Sequence, residues 1–137
     1  MFDKEYRLNK TYFNGEFYDA YTLIQLIFES ASSEIIIIDS YIDRTILDRL
    51  VVKESGVTVN IYTSTTTSKI LGIDINTFNK QYGGLNVLYT TKAHDRCIII
   101  DQTKIYHVGH SIKDLGNKIF TISESDSSII ADLLKNI

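Results

Sequence analysis

Hydrophobic positions along the chain recur with two different periods, and the period changes from segment to segment. The first aromatic cluster, Tyr12-Phe-Asn-Gly-Glu-Phe-Tyr18, places Asn14-Gly15 between two short apolar runs, the pair favoured in a two-residue hairpin, so a β-hairpin is expected to open the fold. Leu23, Ile24, Leu26 and Ile27 follow at helical spacing, predicting a helix over 19–30 capped by Asp19. Residues 34–39 hold four consecutive isoleucines, the pattern of a central strand buried on both faces beneath helices. Asp43 then caps a helix carrying Ile46, Leu47, Leu50 and Val51, Gly56 ends it, and 57–62 returns as a strand, which completes a strand, helix, strand crossover.

The second half reads in the same way. A polar loop over 63–68 leads to a helix over 69–81 with Ile70, Ile73 and Phe78 turned inward, and Gly83-Gly84 breaks the chain before a strand at 85–89. Residues 94–101 and 105–109 are expected as antiparallel strands joined through Gln102-Thr103-Lys104. Ser111 caps a short turn ending at Gly116, a strand covers 119–122, and 127–137 forms a terminal amphipathic helix with Ile130, Leu133 and Leu134 inward. With 137 residues, 44% of them hydrophobic, and no Pro/Ser-rich linker or repeat, the expectation is one α/β domain over 1–137: a mixed β-sheet flanked by helices.

Charge and composition narrow the chemistry. A net charge of −3 and a pI near 5.5 do not provide a strongly basic surface, so any phosphate site must be local. No apolar run approaches the roughly 20 residues that span a bilayer, and the start of the chain has no basic and apolar leader, so a cytoplasmic protein without membrane association is expected. The single cysteine, Cys97, excludes an internal disulfide framework and reads as a buried strand residue. His107 and His110 could suggest a metal site with His94, but they alternate faces and lack an acidic or cysteine partner at ligand spacing; the expected metal and cofactor are none.

The candidate chemistry gathers at the strand over 94–101. Two residues apart on a strand, His94 and Arg96 are expected to share a face, which pairs a group able to attack or transfer protons near neutral pH with a planar, permanent cation suited to phosphate oxygens. By the same alternation Asp95 faces away. Gly109 lets backbone approach a ligand, and Ser111 offers a hydroxyl beside free amides at a helix start. Asp101, at the far end of the strand, is better placed to organise a loop than to meet a ligand. Asp39 and Tyr41, just beyond the carboxyl end of the central strand, are either a ligand-facing pair or a helix-entry turn.

His94-x-Arg96-x4-Asp101 followed by Gly109-x-Ser111-x-Lys113 resembles the H-x-K-x4-D and G-S/G-x-N motifs of the phospholipase D-like superfamily. The likeness runs over about residues 13–120 and is closest to a compact single-motif branch found in bacterial and phage-borne proteins. It implies a phospholipase D-like half-fold and metal-independent phosphodiester chemistry. In that chemistry the motif histidine forms a phosphohistidine, and a second motif histidine protonates the leaving group. One motif per chain then implies a homodimer. The resemblance assigns the nucleophile to His94, phosphate binding to Arg96 in place of lysine, and an orienting role to Glu124; Lys113 stands where the family has asparagine. A nuclease is the expected function, with nucleic acid as partner; a catalytically weak module for nucleic-acid binding or dimerisation is the alternative, and phospholipid hydrolysis ranks third because no basic amphipathic stretch is evident.

Overall fold

The computed structural model describes residues 10–12, 17–114 and 120–137. Seven strands form one mixed sheet in the order β1-β7-β6-β5-β2-β3-β4. β2 (Glu34–Ile38), β3 (Thr58–Thr63) and β4 (Leu85–Tyr89) run parallel. β5 (Cys97–Ile100), β6 (Lys104–Val108), β7 (Phe120–Ser125) and β1 (Lys10–Tyr12) continue the sheet antiparallel from the other side of β2.

The isoleucine run explains why β2 is central. Ile35 and Ile37 belong to the main core, while Ile36 and Ile38 enter a second cluster on the opposite face, and all four are buried. Each contributes about 2 kcal/mol of transfer free energy, which only a strand covered on both sides realises. The main core packs this face against Leu23, Ile24, Ile27 and Phe28 of α1 (Phe17–Glu29) and Ile46, Leu47 and Leu50 of α2 (Thr45–Leu50). The second cluster, with Cys97, Ile99 and Ile105, is covered by Ile130, Leu133 and Leu134 of the short α4 (Ile130–Lys135), which follows a 3-10 turn at Ser127–Ile129. No described helix is long and apolar enough to cross a membrane.

Three expectations change. The opening hairpin does not form: Phe17 and Tyr18, its second arm, begin α1, and β1 pairs with β7; Asn14-Gly15 lies outside the described residues, as do Gly116 and Ile119. Packing of an apolar helical face outweighs a local turn preference, and Asp19 falls in the helix's first turn, where a carboxylate complements the dipole. α3 (Gly72–Gln81) buries Phe78 but leaves Ile73 70% exposed, because five positions place the two roughly 140° apart around a helix. β5 begins at Cys97 rather than at residue 94. Its partner β2 ends at Ile38, opposite Cys97, so residues 94–96 find no strand on that side.

Candidate phosphate site

The carboxyl ends of β2 and β6 and the start of β5 meet at one rim of the sheet. His94 and Arg96 lie there in the β4–β5 connection, so strand alternation does not govern them, and Asp95 lines the same groove as His94 rather than the opposite face. His94 itself is exposed. The half-buried Arg96 donates from Nη2 to the Gly109 carbonyl at 3.1 Å, while its backbone carbonyl accepts from Val108 at 3.1 Å. Its Nε is buried and has no hydrogen-bond partner among the described residues. The close approach that Gly109 permits is to β7: a Cβ there would stand 3.0 Å from both the amide nitrogen and the hydroxyl of Thr121, whose carbonyl accepts the Gly109 amide at 2.8 Å.

The turn after β2 organises the rest of the rim. Asp39, fully buried, accepts from the Tyr41 amide on Oδ1 at 3.0 Å. Its Oδ2 accepts the Ser111 hydroxyl at 2.8 Å and the Ile112 amide at 2.9 Å. A buried carboxylate must fill its acceptor sites, and these three donors do so. Asp39 and Ser111 are therefore brought together and bonded to each other, with Asp39 serving the turn and Ser111 only 5% exposed at the head of the 3-10 turn Ile112–Asp114. Sequence reasoning missed the next residue: Ser40 donates through Oγ to the Ala93 carbonyl at 2.6 Å, tying the β2 turn to the residue before His94.

The other candidates are dispersed. Tyr41 is half exposed beside the turn, and Lys113 pairs with Asp114 at 3.1 Å. Asp101 lies at the opposite end of β5, where it accepts the amides of Ser32, Ser33 and Glu34 at 2.8–3.2 Å together with both serine hydroxyls. Burial works against its charge, but the Ser32, Glu34 and Ser33 amides and the Ser33 hydroxyl outweigh that and hold the carboxyl well below the ordinary range. The loop it holds is the α1–β2 connection. Glu124 is exposed on β7 opposite Tyr106, whose phenol burial pushes up to about 12 with a further contribution from the Glu124 charge. Cys97 is buried as expected, and desolvation, aided by Asp95, pushes its thiol up to about 12.

Beside His94 a groove of about 570 Å³ opens between the β4–β5 connection and the C-terminal helix. Lys92 and Asp132 line it with His94. Neither carried a motif signal; Asp132 read only as the polar side of an amphipathic helix.

The sequence matches no protein-family model and no curated protein. Its fold is similar to solved structures. NucT from Helicobacter pylori superposes with a TM-score of 0.64 at 17% identity, covering 86% of this chain and 84% of that one. Nuc from Salmonella typhimurium, a phospholipase D family member, gives 0.67 at 16% identity, covering 93% and 89%. TrmBL2, an archaeal chromatin protein with a novel mode of DNA binding, gives 0.56 at 14% identity, covering 98% of this chain and 52% of that one. With its mixed sheet and flanking helices, the chain has the phospholipase D-like fold.

Proposed function

We propose that the chain is a metal-independent phosphodiesterase acting on nucleic acid, with His94 as nucleophile in a site completed by a second copy. The observation that carries this reading is the seating of the motif on the fold. His94 and Arg96 lie two residues apart in the connection that leads into β5, at the rim where the parallel strands end, with His94 lining an open groove, while Asp101 fastens the far end of β5. That rim is where ligands of open α/β sheets gather. The imidazole of His94 attacks phosphorus, forming a P–N bond as the P–O bond to the leaving alcohol breaks. The second copy's His94 gives that oxygen a proton. Water, deprotonated by the same second histidine, then displaces His94 from phosphorus and releases the phosphomonoester. The Arg96 guanidinium, oriented by the Gly109 carbonyl, keeps further donors for the phosphoryl oxygens. Similarity in fold to TrmBL2, a protein with a novel mode of DNA binding, supports nucleic acid over lipid.

The second reading is a module that binds nucleic acid without turnover. It is favoured by Ser111 and Lys113, which are engaged with Asp39 and Asp114. Cleavage of single- and double-stranded DNA and RNA in EDTA, by wild type and His94→Ala, with mass measured in solution, separates the two. Turnover by a wild-type dimer and none by the variant is expected; a well-folded dimer that cleaves nothing moves the assignment to the binding module.

A further inference from the structure

The groove beside His94 is larger than a phosphate requires. Its walls include Ile38 of β2 and Ile129 and Leu133 from the C-terminal segment, apolar surfaces suited to a flat ring. Its polar lining is acidic in balance: Asp95 and Asp132 stand against the single ammonium of Lys92. A second phosphate of a polyanionic chain is repelled there, whereas a neutral ring with hydrogen-bond donors is attracted. Neither carboxylate accepts a hydrogen bond from any described residue, so Asp132, on the helix that closes the groove, keeps both oxygens for a ligand. A carboxylate only accepts, and two parallel donors on one edge satisfy it best. Among the common bases, guanine alone offers such an edge, through N1–H and N2–H. Adenine and cytosine set an acceptor beside their amino group, and uracil flanks its one N–H with two carbonyls.

We infer that this groove is a guanine subsite, holding the base of the nucleotide whose phosphodiester lies against His94 and Arg96, with Asp132 reading its N1–H and N2–H edge. The inference rests on the phosphodiesterase reading, because that reading places the phosphate at the groove's mouth. Calorimetric titration in EDTA with the 3′- and 5′-monophosphates of guanosine and uridine, and with ribose 5-phosphate, tests it without requiring turnover. A guanosine monophosphate is expected to bind wild type about tenfold more tightly than its uridine counterpart, as a bidentate base contact provides. Asp132→Asn, an exposed and nearly isosteric change, is expected to shrink that preference to about threefold or less while ribose 5-phosphate binding stays as it was. A preference that survives Asp132→Asn, or guanosine and uridine nucleotides binding equally to wild type, overturns the subsite. If ribose 5-phosphate still binds and EDTA-resistant cleavage persists, only the base assignment has failed. If no phosphate compound binds and nothing is cleaved, the phosphodiesterase reading falls with it.

Discussion

Asp101 is expected to be a structural anchor of the site rather than a part of its chemistry, and its removal gives the most quantitative test of the fold. Its carboxylate receives three backbone amides from Ser32, Ser33 and Glu34, which tie the entry of β2 to the exit of β5. Hydrogen bonds to a charged group are worth about 1.5–3 kcal/mol each, but this site is open to water, so about 1 kcal/mol per amide is appropriate. Asp101→Ala should therefore cost about 3 kcal/mol, and Asp101→Asn, which keeps one acceptor oxygen, about 1–2 kcal/mol. For a chain of this length 1 kcal/mol moves Tm by about 3 °C, so the alanine variant should melt about 9 °C below wild type. Because the folded carboxyl titrates below its unfolded value of about 3.9, the stabilisation is complete above about pH 4 and fades as pH falls through the depressed folded value. Thermal unfolding of wild type and Asp101→Asn across pH 2–7 should show the gap in Tm closing at the acid end. Equal melting of the two proteins at pH 7, or a gap unchanged between pH 7 and pH 2, would refute the anchor.

Other perturbations probe the rim and the interior. Ser111→Ala takes one of three donors from the buried Asp39 and should cost about 1–3 kcal/mol in urea unfolding, and Asp39→Asn combined with it should cost less than the sum of the two single changes. Ser40→Ala releases the Ala93 carbonyl, and under the proposed phosphodiesterase reading it should lower kcat with little change in KM, measured by steady-state cleavage kinetics, because Arg96 keeps its orientation. Tyr106→Phe removes a buried hydroxyl that has no partner among the described residues and should raise stability by about 1 kcal/mol in the same urea assay. Cys97 should resist a thiol reagent in the native protein at pH 8 and react only on unfolding, since its buried thiol stays protonated far above that pH.

The central architecture was legible because it is written in burial that sequence periodicity reports directly. Four isoleucines in a row demand cover on both faces, and Ile35–Ile38 received it. The strand at Leu85–Tyr89 is bounded by Gly83 and Gly84, both at positive φ, where the glycine pair signals the break. What misled were local signals that tertiary contacts override. Asn14-Gly15 announces a hairpin, but Phe17 opens a helix whose later residues fill the core. His94 looks like a strand residue because four apolar positions follow it, yet a strand needs a neighbour, and β2 has turned away at Asp39. The motif residues could be listed from spacing alone, but not their partners. No pattern in the chain says that Ser111 spends its hydroxyl on Asp39, or that Asp132 shares a groove with His94, because both meetings join segments that are distant in sequence.

Those long-range meetings share one origin, the two-residue turn that ends β2. Asp39 holds Ser111 and the start of the following 3-10 turn, while Ser40 holds the carbonyl of Ala93 immediately before His94. The Gly109 carbonyl, two residues ahead of Ser111, in turn fixes the Arg96 guanidinium. The two segments that carry the motif are thus fastened to a single point by hydrogen bonds made within the chain, before any ligand arrives. In the proposed phosphodiesterase, such fastening would remove ordering cost from binding and so offset the small number of cations at the site. It also divides the site unequally: Arg96, Gly109 and Ser111 have fixed partners, whereas the exposed His94 side chain makes no hydrogen bond with the described residues, and Ser40 restrains only the backbone before it.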